Sequence, residues 1–473
     1  MLFNSFAFLI FLPIVLIGYY LLDHRGQNRF LLAASLFFYG CWDWRFLGLL
    51  LPLMLIDFKV AATLEKMRIA GAALRRQHQL VAISMGCNLA ALAFFKYCNF
   101  FVANLAALLT SLGFDASLPA LNIVLPIGIS FFTFQSMSYT IDVYRGEIKA
   151  TRNFMDFALF VSFFPHLVAG PIMKAHVLLP QVLKPRKISR EVWLGGLRLI
   201  VWGLWKKVFV ADSLAPIVDR IFALTSPSGF ETLMGVLAFA FQIYGDFSGY
   251  TDIARGVAKL MGFELGFNFR LPYFASSPQE FWSRWHISLS TWLRNYLYIP
   301  LGGNRGGSFN TYRNLMLTML LGGLWHGAAW NFVLWGAYQG SMLCLHRAFV
   351  AIRGGDNARS DAAGGRPIMI AIMFCFTCYG WLLFRAGSFE QIAHMSRALL
   401  HPVDVVDWPL LRSIAVFVAP LYLLELYQYC ARHEFFLEAV WLPQWTRTVV
   451  YGVLSYCMLF HAAAPQAFVY FQF

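Results

Sequence analysis

Apolar residues run along this chain in blocks too long and too frequent for a soluble core. The stretches 6–22 ("FAFLIFLPIVLIGYYLL") and 81–97 ("VAISMGCNLAALAFFKY") are long enough to cross a bilayer core of about 30 Å as helices. The same pattern predicts full or partial crossings near 3–22, 30–42, 45–64, 80–97, 120–141, 154–173, 192–211, 232–250, 314–346, 368–384, 409–430 and 447–463. Between Asp252 and Arg313 the pattern turns amphipathic and rich in Arg, Trp and Tyr, which suits a membrane interface. The first run lacks a basic leader and a small-residue cleavage site, so it reads as a retained helix. A single flexible-looking insert, "RGGDNARSDAAGGRP", interrupts an otherwise continuous domain over 1–473.

Two blocks are poor simple spans. The 30–42 block is short and fits a re-entrant or tilted piece, whereas 154–173 is broken by Pro165 and by Gly170–Pro171. Broken backbone at membrane depth survives only against protein or a water-filled cavity. The expected fold is therefore an all-α polytopic membrane protein, a helical bundle with re-entrant or broken helices around a central polar tunnel.

Composition supports the class. Of 473 residues 59% are hydrophobic and 13% charged, where soluble proteins carry about a quarter charged. The net charge of +13 gathers in short loops, such as Lys66, Arg68, Arg75 and Arg76, or Lys174, Lys184, Arg186, Lys187 and Arg190. The positive-inside rule puts these loops in the cytoplasm and turns 110–120, which holds no Lys or Arg, outward. The charge edges membrane segments and forms no continuous stripe, which argues against nucleic-acid binding. Cys375 and Cys378 form a C-x-x-C inside an apolar run, with no second pair at zinc-like spacing, so neither a metal nor a disulfide framework is expected.

Three stretches carry candidate chemistry. The first, 317–340 ("LTMLLGGLWHGAAWNFVLWGAYQG"), places His326 among residues without charge. His326 lies 13 residues past Arg313, about 20 Å along a helix, hence near mid-membrane. An ionisable group there marks a functional site by default; the plain alternative is a neutral imidazole tied to a neighbouring carbonyl. On one continuous helix Gly322, Gly323 and Trp330 would share its face, the glycines admitting either a ligand or a packed helix. The second stretch, 276–307, holds His286 among Trp282, Trp285 and Trp292 and exits through "GGNRGG", which is no P-loop but precedes a helix start at 308–311. In the third, 241–256, Asp246 and Asp252 are spaced too unevenly for one helix face. Asp252 is expected to cap and pair with Arg255, and Asp246 faces the apolar side. No G-x-S-x-G or H-E-x-x-H motif occurs, leaving histidine chemistry in a membrane cavity with a basic cytoplasmic mouth.

Together "LGGLWHGAAWNFVLWGAYQG" and "FWSRWHISLSTWLRNYLYIPLGGNR" resemble the membrane-bound O-acyltransferases, particularly their bacterial alginate O-acetylation branch. Further blocks carry the likeness across the chain: "FYGCWDWRFL", "LPIGISFFTFQSMSYTIDVYRG", "FFPHLVAGPIMK", "YGDFSGYTDIARG" and "FVYFQF". The resemblance implies that His326 is the essential histidine and His286 the second characteristic one. His166 stands where the family often has Gln and is not expected to be catalytic. It also implies a cytoplasmic thioester donor such as acetyl-CoA, used as substrate with no bound cofactor. The acceptor would be a hydroxyl on the far side, in modification of an exported polysaccharide, with a separate periplasmic or extracellular acetyltransferase partner. The expected setting is a bacterial inner membrane, among its lipids.

On that reading an imidazole takes the proton of the attacking hydroxyl, worth about 10²–10⁴-fold. Asn331, His286, Trp325, Trp330 and Asp246 are candidates for lining the site or polarising the thioester carbonyl, and Arg294, Arg305 and Arg313 for holding the donor phosphates. Two rival readings remain: a transporter or polysaccharide conduit without acyl chemistry, and an acyltransferase with a cell-wall or lipid acceptor.

Overall fold

The computed structural model describes residues 1–114, 121, 123–167, 170–353, 365–401, 405–432, 443–460, 464 and 466–469. Among these residues there is no β-strand. The all-helical membrane class read from the sequence holds. Most of the insert (354–364), the far part of the 110–120 loop (115–120) and the last four residues lie outside the described residues.

The chain forms two compact units, Met1–Leu197 with Ala254–Gly266, and Arg198–Ile253 with Phe267–Phe473. The first opens with α1 (Phe6–Tyr20), α2 (His24–Asp43), α3 (Leu47–Ile69), α4 (Leu74–Leu92) and α5 (Cys98–Ser111). It continues with α6 (Ile129–Arg145), α7 (Phe154–Ser162), α8 (Phe164–Leu167) and α9 (Ala175–Leu183). Helix α10 (Arg190–Trp205) leads into the second unit and α11 (Asp212–Phe222); α12 (Gly229–Leu260) starts in the second unit and ends in the first. After it come α13 (Pro278–Arg284), α14 (Ile287–Leu293), α15 (Ser308–His326) and α16 (Trp330–Ile352). The last four are α17 (Arg366–Arg385), α18 (Phe389–Ala398), α19 (Trp408–Ala431) and α20 (Gln444–Phe460).

By length and composition, four helical stretches among the described residues can cross a membrane: His24–Ile69, Leu74–Ser111, Arg366–Arg385 and Trp408–Ala431. The 30–42 block is not a short piece but the apolar part of the 20-residue α2. Its polar start stays helical because Asp23 caps it, accepting from the Gly26 N–H at 2.9 Å. The chain then turns at Asp43, which is extended (φ −158°) before a short 3₁₀ turn leads into α3. The break expected in 154–173 is present, since α7 stops at Ser162 and four helical residues follow from Phe164. Gly170 is needed there because a Cβ would stand 2.4 Å from the His166 Cα.

In the first unit α6 is buried almost all round, and its polar residues find partners within the protein. Asp57 of α3 accepts from Ser84 and Asn88 of α4 and from Ser136 of α6, so one carboxylate joins three helices. The second unit contains the helical pair that shapes the site. A Cβ on Gly323 would stand 2.2 Å from the Phe332 carbonyl, and one on Gly336 2.5 Å from that of Met319. Gly340 meets Met316 in the same descending order, so α15 and α16 form a close antiparallel hairpin.

Candidate active site

The expected single crossing at 314–346 is two helices. His326 is the last residue of α15, Gly327 is extended (φ −160°), and α16 begins at Trp330. This break turns the His326 ring inward instead of letting it lie along a continuous helix face. The ring is 4% exposed and sits in an aromatic box. Trp325 and Trp335 have centroids 5.1 Å away and Phe384 5.4 Å, all three edge-on.

His286 is the second wall of that box, fully buried, with its ring centroid 6.5 Å from that of His326 and 6.0 Å from Trp325. It links α13 to α14 in the left-handed region (φ 42°, ψ 53°), which few non-glycine residues occupy. Such conformations persist when the surroundings over-determine them. Here Asn268 does so: its carbonyl accepts from the Ile287 N–H at 2.9 Å and its side-chain oxygen from the Ser288 hydroxyl at 2.6 Å. Its amide donates to Thr251 of α12 at 3.2 Å, and the Arg270 N–H donates to the Arg284 carbonyl at 3.0 Å. Asn268 carries no sequence signal of its own; only the fold brings it beneath the histidine.

Helix α13 is fixed by Glu280. Its carboxylate accepts from the Ser276 N–H (2.8 Å) and O–H (2.7 Å), and from Arg284 and Arg366 at 2.8 Å each. Partial burial pushes this carboxyl up, but those donors outweigh it and hold the group below its ordinary value.

The other predicted residues separate. Trp325 joins both histidines. Trp330 is 52% exposed, because the break at Gly327 places it on the next helix and off the His326 face. Gly323 serves helix packing and Gly322 meets Leu293. Asn331 is engaged, donating to the Phe384 carbonyl at 3.1 Å. Asp246 is buried against Lys207, 2.8 Å away, and accepts from the Val469 N–H at 2.6 Å. Asp252 pairs with Lys206 at 2.6 Å and, lying inside the unbroken α12, does not cap a helix as expected. Arg294, Arg305 and Arg313 are exposed, Arg313 holding Asn314 at 3.0 Å. The glycine-rich exit does lead into a helix start at Ser308, as expected. His166 lies in the first unit with its Nε2 2.8 Å from Gln135 Oε1; since the Gln135 amide donates to the Phe160 carbonyl, the imidazole Nε2–H is the donor.

The site so defined consists of two buried imidazoles side by side within an aromatic wall. One can take a proton from a hydroxyl while a ring N–H or an indole N–H meets developing charge on an acyl oxygen.

Comparison with known proteins bears on this chemistry. The model of MBOAT, the membrane-bound O-acyltransferase family, matches residues 129–384, which include both histidines. A probable alginate O-acetylase of Azotobacter vinelandii is 45% identical over 415 residues, 87% of this chain and 79% of that protein. One from Pseudomonas putida is 44% identical, over 87% and 82% of the two chains. The peptidoglycan O-acetyltransferase of Helicobacter pylori is 33% identical over 100% of this chain and 98% of its own.

Proposed function

The chain belongs to the membrane-bound O-acyltransferase family, and from that premise we propose that it moves an acetyl group from a cytoplasmic thioester to a hydroxyl used in modifying an exported polysaccharide. It is a multi-pass membrane enzyme and takes an acyl donor. In the proposal the donor is acetyl-CoA, the membrane is the inner membrane of a bacterium, and a periplasmic or extracellular partner carries the group to the polymer. The relatives' alginate and peptidoglycan acceptors support a polysaccharide.

The observation that carries the mechanism is the pair of buried imidazoles with ring centroids 6.5 Å apart. The His326 imidazole accepts the proton of the acceptor hydroxyl as its oxygen attacks the thioester carbonyl carbon. The carbonyl oxygen becomes an oxyanion, met by a donor N–H of His286 or Trp325, both of which wall the site. Collapse breaks the C–S bond, the ester forms, and the proton held by His326 leaves with the thiolate. Aromatic walls exclude water, so the thioester is kept for the acceptor. Asn331 and Asp246 are held by other partners, and exposed Trp330 is a weaker candidate than Trp325. Arg294, Arg305 and Arg313 remain the candidates for the donor phosphates, exposed as such a mouth requires.

The test is radiolabelled acetyl-CoA supplied to the purified protein in lipid nanodiscs with its partner and acceptor polymer. The proposal expects free thiol and labelled acceptor in equal amounts. Polymer movement with an intact thioester would contradict it and point to a conduit.

A further inference from the structure

Beyond the two histidines, the second unit holds a buried ion cluster that the proposed chemistry does not use. Lys207 Nζ stands 2.6 Å from Asp212, 2.8 Å from Asp246 and 3.0 Å from the Gln466 carbonyl. Asp246 also accepts from the Val469 N–H at 2.6 Å. A lysine and two carboxylates are costly to bury together, and breaking such a set strands an uncompensated charge. What they hold is a short strap, 466–469, that brings Phe468 into the interior with none of its surface exposed.

Phe468 has two aromatic neighbours on α12, Tyr250 at 4.6 Å and Phe247 at 5.8 Å between centroids. Phe247 in turn stands edge-on to the His286 ring at 4.7 Å and 87°. The strap, the ion cluster and the strained histidine thus form one contiguous set. We propose that Phe468 is a positioning residue: latched through Lys207 and Asp246, it wedges Phe247 against His286 and fixes that imidazole beside His326. This rests on the acyl-transfer reading of the pair. The buried charges thereby acquire a role, since they clamp the backbone on both sides of Phe468. Packed aromatic contacts transmit such a constraint because interiors are close-packed and yield little.

The test compares wild type, Phe468→Ala and Phe468→Leu in nanodiscs, following thioester turnover, thermal unfolding and the ring-carbon resonance of His286 in ¹³C-histidine-labelled protein. Phe468→Ala is expected to lower kcat about 10- to 100-fold, as small misplacements of catalytic groups do, with KM for the thioester unchanged. Phe468→Leu, which keeps most of the bulk, is expected to recover most of kcat. The His286 resonance shifts in the alanine variant as the Phe247 ring moves. An unchanged kcat per folded molecule, or an unmoved His286 resonance, overturns the proposal. If the alanine variant does not fold, Phe468→Val, which removes the ring but keeps a small apolar side chain, is read by the same kcat and resonance criteria. If wild type itself cleaves no thioester, the acyl-transfer reading fails, and the resonance alone decides whether Phe468 positions His286.

Discussion

At the scale of single residues, the site depends on how two histidines are held. His326 takes its direction from being the last residue of its helix, and His286 from a left-handed backbone that Asn268 clamps. Asn268→Ala removes the bonds to half-buried Ser288 and buried Thr251. It should cost about 1–3 kcal/mol in stability and lower kcat more than it changes KM, as measured by unfolding and turnover on the same preparation. The histidines were legible because an ionisable ring in an apolar run is conspicuous. Asn268, Lys207 and Phe468 were not: their roles come from neighbours many residues away. The left-handed turn at His286 has no glycine to announce it.

At the scale of elements, hydrophobic periodicity located the helices well and their breaks poorly. The run 314–346 reads as continuous because Gly327, Ala328 and Ala329 are as apolar as their surroundings, yet the chain folds back there into the hairpin of α15 and α16. The glycines of that stretch were ambiguous in sequence between ligand access and packing, and Gly323 is packed on the facing backbone. Gly323→Ala should overpack the hairpin and destabilise by about 1–3 kcal/mol, seen as a lower unfolding temperature in detergent. Glu280 ties α13 to α17 through Arg366. Its folded-state carboxyl lies below the ordinary value of 4.5, so the unfolded chain binds that proton more readily. The stability it gives is present above that ordinary value and is lost as pH falls through the lowered one. Glu280→Gln should flatten the acid limb of a stability–pH curve; an unchanged limb would assign the effect to other groups.

At the scale of the whole molecule, the membrane class was legible from composition, because 13% charged residues cannot cover a soluble surface. Orientation rests on charge. The 38-residue stretch of α4 and α5 would extend about 57 Å as a straight helix, well beyond the bilayer core, so its ends are expected on opposite aqueous sides. With eight native cysteines replaced, a cysteine at Ser111 should react with an impermeant maleimide in intact cells, and one at Arg75 only after permeabilisation. The reverse pattern would invert the proposed direction of acetyl transfer. The central claim, that His326 takes the acceptor's proton during acyl transfer, is tested most directly by turnover of labelled acetyl-CoA by wild type and His326→Ala, each shown to be folded. The account predicts a loss of about 10²–10⁴-fold in kcat. Full turnover by the folded variant would contradict it and leave His326 as one more packed ring in an aromatic wall.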